Sequence, residues 1–444
     1  MSSVSKKSVS SVSKKSVFIR VHPWLNFRVF AVPKTMRAVV YRGVNDLRLE
    51  TVPVPRLRAH ELLVQVAVCG VCPTDIKKIL HGAVPPPRIF GHETAGTIVK
   101  IGAGSKTQNS KFKIQNLKVG DRVALHHHVP CLDCHFCRHH AFAQCAAYKR
   151  TGITAGFEPA GGGYAEYVRV MPFVLPGVVK IPPKNSFAEG AMLEPVNTVL
   201  KAVRRLNLLR GDAVLVAGQG PIGLMFTRLL HLAGVRVLAT DLLESRLKLA
   251  RQFGAKWTAN PQLGRAELPL RPNARQRVPA ALDAAVIAVP SDAAVYQALQ
   301  LVRGGGQVLL FAHTKRGAHA PRVPGSAPSL NPTNATNETN PLESSPAPGL
   351  ATRASSAARA ARALPSTLDF SAICLDEKDL IGSYSSDFTL QAEVARLVFS
   401  RWLDVRPLIS HYFPLAQTAK AVALAAQPTP DSLKILVGDD ARSL

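Results

Sequence analysis

The sequence predicts an α/β protein with a β-rich region followed by a region built on a parallel sheet. Between residues 36 and 125 the apolar runs are short, rich in valine and separated by Gly and Pro, which is typical of an antiparallel, partly barrel-like domain. From about residue 197, apolar runs alternate with segments of helical periodicity, which favours a parallel sheet covered on both faces. A chain of 444 residues is long enough for two domains with separate cores.

The β-rich region is predicted to begin directly after Met36. Its first strand is 37–41, and further apolar runs cover 62–68, 94–101 and 122–125. Residues 1–35 precede it, carry Lys and Arg but no acid, and contain a near-repeat at 3–9 and 11–17. We interpret 1–35 as a disordered tail or the product of an upstream start codon, with a transit peptide or a basic arm as alternatives.

The second region alternates strands and helices. The predicted strands are 213–217, 235–240, 284–289 and 307–312. Between the first two, apolar residues recur at the spacing of one helix face: Ile222, Met225, Phe226, Leu229, Leu230 and Ala233. Residues 314–366 are rich in Pro, Asn, Ser and Ala and are predicted to be a disordered insertion. After it, 381–384 is predicted to be a final strand before a C-terminal helix.

Composition excludes several classes of protein. Hydrophobic residues make up 47% and charged residues 19%, as in a soluble globular protein, and no apolar run approaches the ~20 residues of a membrane span. The net charge of +26 is spread thinly outside 1–35, and no basic motif is interleaved with aromatic residues. We therefore predict no specific nucleic-acid partner and no membrane partner.

Four of the seven cysteines fall within 131–145, at Cys131, Cys134, Cys137 and Cys145. Four thiolates at this spacing can close a tetrahedral zinc site that has no open position and is therefore structural. An iron–sulfur cluster is the alternative, but Ala146 stands where a ferredoxin-type run prefers Pro. Since no secretory segment is recognisable, the clustering indicates metal binding in a reducing compartment, and we predict a cytoplasmic protein.

A glycine-rich turn, Gly218-x-Gly220-x-x-Gly223, follows a predicted strand and opens a helix. Such a turn brings backbone N–H groups and the positive end of a helix dipole to a dinucleotide pyrophosphate. Asp241 ends the next strand, where a carboxylate accepts hydrogen bonds from the adenosine ribose and repels a 2′-phosphate. The motif predicts NAD rather than NADP. Pro221, Ile222 and Arg246 complete the predicted cofactor-binding set.

Three short stretches carry the residues of a second metal site. They are Cys72-Pro73-Thr74-Asp75, Gly91-His92-Glu93 and Leu193-Glu194-Pro195. Sulfur, imidazole and carboxylate ligands suit zinc, and a site with three protein ligands keeps a fourth position open. Each stretch alone is weak, because a single Cys or His is more often a packing residue.

These motifs, in this order, resemble the zinc-containing medium-chain dehydrogenase/reductase family on its sorbitol, threonine and polyol dehydrogenase side. The resemblance covers about 36–312 and 368–436. It includes 69–75, 91–93, 119–123, the four cysteines, 161–167, Glu194-Pro195 and the glycine-rich turn. The chain departs from the family at Pro73, which replaces a Gly, and in extra residues at 107–116, at 269–279 and after His313.

The resemblance implies roles for individual residues. Cys72 and His92 would be catalytic-zinc ligands, and Glu93 the third ligand. Glu194 stands where other members place a ligand, so it would either ligate directly or act through the metal's water. Thr74 would pass the substrate proton outward, and Asp75 would be the acid beside the metal site.

The resemblance also implies an architecture and an activity. Residues 36–197 would form a GroES-like catalytic domain, 198–380 a Rossmann domain, and 381–444 a return to the first domain. The expected activity is zinc-dependent oxidation of a secondary alcohol or polyol by NAD, in a homodimer or homotetramer with one catalytic and one structural zinc. The alternatives are a threonine-type, aldehyde or primary-alcohol dehydrogenase of the same fold and, remotely, a basic nucleic-acid-associated protein.

Overall fold

Two sheets of opposite character organise the chain, which a computed structural model describes over residues 31–103, 117–126, 129–150, 161–262, 281–312 and 370–439. Most of 1–35, the insertion 314–366 and the extra residues at 107–116 and 269–279 lie outside these ranges.

The described strands, in chain order, are β1 (Thr35–Gly43), β2 (Asp46–Pro53), β3 (Leu62–Gly70), β4 (Arg88–Ile89), β5 (Glu93–Ile101), β6 (Arg122–Leu125), β7 (Tyr167–Val170), β8 (Val178–Lys180), β9 (Ala213–Ala217), β10 (Arg236–Thr240), β11 (Trp257–Ala259), β12 (Leu282–Ile287), β13 (Val302–Leu310), β14 (Asp379–Gly382), β15 (Ile409–Phe413) and β16 (Lys434–Val437). The described α-helices are α1 (Pro73–His81), α2 (His135–Arg138), α3 (Ala146–Arg150), α4 (Phe187–Ala191), α5 (Leu193–Val203), α6 (Pro221–Leu232), α7 (Glu244–Gln252), α8 (Asp292–Leu301), α9 (Phe370–Leu375), α10 (Gln391–Phe399) and α11 (Thr418–Ala426).

The β-rich part is mainly antiparallel. Its larger sheet has the order β15-β16-β3-β5-β6-β8, with β7 also paired to β3, and a smaller sheet has the order β2-β1-β4. The pair β15–β16 is the parallel exception. Because β16 pairs with β3 and so joins the C-terminal segment to the first half of the chain, this sheet draws on both ends of the described chain.

The second sheet is parallel and has the order β11-β10-β9-β12-β13-β14. Counted from β9 as its first strand, this is the order 3-2-1-4-5-6 of a Rossmann sheet. The strand order, which runs outward in both directions from β9, switches between β9 and β12. Ligands bind such sheets in the crevice at the carboxyl ends of the strands flanking that point. The predicted α/β class, with a β-rich part and a Rossmann-type parallel sheet, is confirmed.

The prediction that 381–384 is the final strand is wrong in two respects: the strand begins two residues earlier, and it is not the last one. The observed strand, β14, covers Asp379–Gly382 and forms the edge of the parallel sheet. Two more strands, β15 and β16, follow it and enter the other sheet. The error arose because β16, Lys434–Val437, has only four residues and no alternating pattern.

A continuous core joins the two sheets. The largest cluster of buried side chains includes Val68 and Ala95 of the β-rich sheet together with Val214 and Leu224 of the parallel-sheet region. The short helices α4 and α5 lie between them, and α5 packs against both α6 and α10. None of the helices in the described ranges has the length and apolar character needed to span a bilayer.

We predict that Glu189→Gln, in the helix α4 between the two sheets, lowers the free energy of unfolding by about 1–3 kcal/mol at neutral pH. The buried Glu189 carboxylate caps α4 by accepting from Ser186 N (2.7 Å), and it also accepts from the Asn185 amide (2.9 Å) and Arg401 Nε (3.2 Å). Burial would raise the carboxyl's pKa, but these donors outweigh it and lower that pKa below its usual 4.5. A lowered pKa contributes stability above the unfolded value and loses it as the pH falls through the folded value.

The difference in unfolding free energy between wild type and Glu189→Gln should therefore shrink as the pH falls below about 4.5. Denaturant unfolding at neutral and acid pH measures it. Glu393→Gln is the control, because Glu393 pairs with an Arg204 side chain that is 54% exposed and should change stability by only about 0–1 kcal/mol. Equal effects of the two substitutions would contradict the role given to Glu189.

Candidate metal and cofactor sites

Three predicted zinc ligands converge from the starts of two neighbouring elements, α1 and β5. Cys72 is the N-cap of α1, His92 directly precedes β5, and Glu93 is the first residue of β5. One ligand atom from each lies within 4.8 Å of the other two. Thr74 is half-buried in the first turn of α1, and its backbone N–H donates to Cys72 Sγ at 3.5 Å.

Asp75 orients the imidazole of this set. It is fully buried, its carboxylate oxygens lie 3.0 and 3.1 Å from His92 Nδ1, and it accepts from Gly91 N at 3.3 Å. A carboxylate on Nδ1 fixes the tautomer that leaves Nε2 as the metal-facing nitrogen. Burial opposes charge on His92, but Asp75 and Cys72 outweigh it and raise the pKa of His92 well above its usual range. The site is thus rich in negative charge and suited to a cation.

Glu194 lies beside this set rather than within it. It is buried in the first turn of α5 and is not part of the group of mutually close ligand atoms. Burial is the main cause that raises the pKa of Glu194 to about 7, and the negative charge of Glu93 adds to it. Direct ligation by Glu194 and action through the metal's water both stay predictions.

Lys434 is a residue of this site that the sequence analysis missed. It is the first residue of β16, is 6% exposed, and forms an ion pair with Glu93 Oε2. Its Nζ also donates to the carbonyl of Val71 at 3.0 Å. No local motif marks Lys434, and the only available signal was a charged residue at the start of a short apolar run.

The four-cysteine lobe has the geometry of a tetrahedral metal site. A Zn–S bond of about 2.3 Å places the sulfurs of a tetrahedron about 3.8 Å apart. The measured Sγ–Sγ distances are 3.9 Å for Cys131 and Cys137, 3.5 Å for Cys134 and Cys137, and 3.7 Å for Cys145 and Cys131. The backbone N–H groups of Asp133 and Cys134 lower the pKa of Cys131 to about 6, which favours the thiolate. The donor set fits a structural zinc.

The glycine-rich turn follows β9 at the reversal point of the parallel sheet. Gly218 has φ +90°, a conformation that favours glycine, and Gly220 is the N-cap of α6 with Pro221 as its first residue and half-buried Ile222 after it. A Cβ on Gly223 would lie 1.8 Å from Gly218 O. The packing therefore requires glycine at Gly223 and leaves backbone N–H groups of α6 facing the crevice.

Asp241 connects this turn to the next strand. Its Oδ2 accepts from Gln219 N at 2.7 Å and its Oδ1 from Leu243 N at 3.0 Å. Arg246 Nη1 lies 3.9 Å from Asp241 Oδ2, and Arg246 Nη2 donates to Ser432 O at 3.3 Å. The predicted ribose-binding carboxylate is thereby held in place, and Arg246 links the parallel-sheet region to the segment that leads into β16.

Comparisons with known proteins identify the family of both halves of the chain. Residues 58–183 match the alcohol dehydrogenase GroES-like domain, and residues 221–331 match the zinc-binding dehydrogenase domain. The chain is 30% identical over 277 residues to a probable D-xylulose reductase A of Emericella nidulans, covering 60% of this chain and 72% of that protein. It is 29% identical over 285 residues to a sorbitol dehydrogenase of Bacillus subtilis, covering 63% and 75%.

Solved structures show the same fold. The 2R,3R-butanediol dehydrogenase of Bacillus subtilis superposes with a TM-score of 0.67 at 22% identity, covering 91% of this chain and 99% of that one. A zinc-binding dehydrogenase of Sinorhizobium meliloti bound to NADP gives a TM-score of 0.69 at 23% identity, covering 91% and 99%.

We predict that Cys134→Ser removes the lobe metal alone. The substituted chain should lose about one zinc ion and melt at a lower temperature, because a structural zinc contributes directly to folding. Metal analysis and thermal unfolding measure both effects. Cys374→Ser is the control, since Cys374 is exposed and outside the lobe. An unchanged zinc content in Cys134→Ser would refute the lobe assignment.

Two glycine substitutions should separate folding from cofactor binding. In Gly223→Ala the added Cβ would meet the backbone oxygen of Gly218. This substitution should lower thermal stability, and it should weaken NAD binding at least about tenfold. A Cβ on Gly220 meets no atom within 4 Å, so Gly220→Ala should keep its thermal stability and weaken only the binding of NAD. Calorimetric titration and thermal unfolding compare them. Full NAD affinity in both variants would show that the dinucleotide binds elsewhere.

Proposed function

The chain belongs to the zinc-containing medium-chain dehydrogenase family, and we propose that it oxidises a secondary alcohol or polyol by transferring a hydride to NAD. The observation that carries this proposal is the convergence of Cys72, His92 and Glu93 at the junction of the two sheets. Glu194 lies in the first turn of α5 beside these ligands, and α5 packs against α6, the helix that begins at the glycine-rich turn. A metal site and a dinucleotide turn at one junction suit hydride transfer between a metal-held alcohol and a cofactor.

The substrate class is supported by the relatives. Two of them are named as a D-xylulose reductase and a sorbitol dehydrogenase, both acting on polyols or their ketoses. The ligand set supports the same side of the family, because it pairs Cys72 and His92 with a carboxylate, Glu93.

Each residue has a definite task in the proposed reaction. When bound, zinc supplies a Lewis acid for the alcohol oxygen and NAD supplies the hydride acceptor. Cys72, His92 and Glu93 would hold the metal, and Asp75 keeps Nδ1 of His92 occupied so that Nε2 faces it. The Thr74 hydroxyl would accept the proton of the substrate hydroxyl and pass it towards solvent. Glu194 would hold a water or substrate hydroxyl beside the metal.

The choice of NAD rests on Asp241. Its carboxylate follows β10 and is fixed by the N–H groups of Gln219 and Leu243. A ribose 2′-hydroxyl can donate to that carboxylate, whereas a 2′-phosphate would be repelled by it. The nearby Arg246 donates to Ser432 O, and in this arrangement it supports the loop rather than a phosphate.

We also propose that the enzyme is a cytoplasmic homodimer or homotetramer. A reducing compartment suits the chain because all seven cysteines are unpaired and four of them form the lobe site. Sedimentation of the purified full chain would give the assembly, and a monomer at micromolar concentration would contradict this part of the proposal.

The decisive experiment follows NADH formation with a panel of polyols, secondary alcohols, primary alcohols and threonine, with NADP run in parallel. We expect turnover with NAD and a polyol or secondary alcohol, abolished by a zinc chelator and restored by zinc. Turnover confined to threonine or primary alcohols would replace the substrate class while keeping the reaction. No turnover in protein that contains two zinc ions per chain would refute the proposed activity.

We predict that Cys72→Ala loses one zinc ion and at least about a thousandfold in kcat/KM, because a catalytic metal supplies several kcal/mol of transition-state stabilisation. Cys69→Ala is the matched control. Cys69 is fully buried beside the site, and burial raises its pKa to about 12, so it is a neutral packing residue. Full activity and full metal content in Cys72→Ala would overturn the ligand assignment.

A further inference from the structure

Lys434 is a buried cation placed against a proposed metal ligand. The side chain lies at the start of β16 with its Nζ between Glu93 Oε2 and the carbonyl of Val71. A buried ammonium group is costly unless it is paired and hydrogen-bonded, and Lys434 has both kinds of partner. The ammonium group therefore has a carboxylate partner in Glu93 and a carbonyl partner in Val71.

Gly70 lies against the same oxygen. A Cβ at Gly70 would lie 1.9 Å from Glu93 Oε2 and 2.9 Å from Lys434 Cε. The absence of a side chain at Gly70 therefore makes the room that both groups occupy. Glu93 Oε2 is therefore close to the β3 backbone at Gly70 as well as to the ammonium group.

We propose that Lys434 is a positioning residue that engages Oε2 of Glu93 and leaves Oε1 as the single oxygen for the catalytic metal. The inference rests on the proposed role of Glu93 as a zinc ligand. A carboxylate can bind a metal through one oxygen or through both, and one-oxygen binding beside Cys72 and His92 gives three protein contacts. The fourth position of a tetrahedral site then stays open for the alcohol oxygen.

Loss of Lys434 should have a specific consequence. Once Oε2 is free, Glu93 can bind through both oxygens, which raises the coordination number and crowds the substrate position. Groups that orient metal ligands from outside typically change activity or metal affinity about 10–100-fold when they are removed. The metal itself should be retained, because all three ligands remain.

The test uses Lys434→Met, which keeps the length of the side chain and removes its charge. The full chain is prepared with Co²⁺, whose visible absorption is strong in tetrahedral sites and weak at higher coordination. The spectrum of Cys72→Ala protein is subtracted to remove the contribution of the lobe. We expect a weaker difference band in Lys434→Met, an unchanged cobalt content, and a kcat/KM at least about tenfold lower, mainly through KM.

Lys378→Met is the matched control. Lys378 is also a shielded lysine with one carboxylate partner, Asp376 (2.7 Å), and one carbonyl partner, Leu299 O (2.8 Å), but it lies in the parallel-sheet region. Its substitution should leave the difference band and kcat/KM unchanged. If Lys434→Met does not fold, Gly70→Ala should weaken the same band, because its Cβ would lie 1.9 Å from Glu93 Oε2 and displace that oxygen from Lys434.

A double substitution tests whether Lys434 acts through Glu93. In a Glu93→Gln background the further change Lys434→Met should alter the band little, because its target carboxylate is absent. A wild-type band in Lys434→Met, or an equal effect with and without Glu93, would overturn the inference. If wild type and Cys72→Ala give identical cobalt spectra, no metal binds at Cys72. That result would refute the proposed function, and it differs from the two results that would overturn only the role of Lys434.

Discussion

A group of ionisable side chains is enclosed where β3, β5 and β16 meet, and none of them could be buried there alone. Asp75, His92, Glu93 and Lys434 are each at most 6% exposed. Removing a single unpaired charge from water costs several kcal/mol, whereas paired charges with further hydrogen bonds can be accommodated. The pairs Asp75–His92 and Glu93–Lys434 satisfy this requirement, and the strand pairing that brings β16 to β3 is what makes the second pair possible.

This arrangement explains why the C-terminal segment returns to the first domain. Residues Ser432 and Lys434 are two positions apart on one extended segment. The carbonyl of Ser432 accepts from Arg246, which lies near Asp241, the proposed ribose-binding residue, while the ammonium group of Lys434 contacts Glu93. One short stretch of chain therefore contacts both the proposed cofactor site and the proposed metal site, and it fixes their relative position together with α5 and α6.

The four-cysteine lobe is a separate unit that is also joined to this junction. Phe142 of the lobe packs edge-on against Phe388 at 5.5 Å, and the hydroxyl of Tyr148 contacts Ser385 Oγ. Phe388 and Ser385 lie on the segment between β14 and α10, which carries the chain from the parallel sheet back to the β-rich sheet. A metal in the lobe would thus stabilise a support of the junction as well as its own loop.

The sequence by itself determined the features that depend on neighbours along the chain. The spacing of Cys131, Cys134, Cys137 and Cys145 and the turn at Gly218 are local, because each needs only a few consecutive residues to form its geometry. Strands β6 and β9 were predicted to the residue for the same reason. Only the tertiary structure decided how distant residues combine. In the structure Cys72 lies close to His92 and Glu93, with Glu194 beside them. Two strands, β15 and β16, follow β14, and Lys434 of β16 contacts Glu93. The contact of Lys434 with Glu93 depends on the pairing of β16 with β3 across more than three hundred residues, and a β-strand of four residues carries no local signal of its partner.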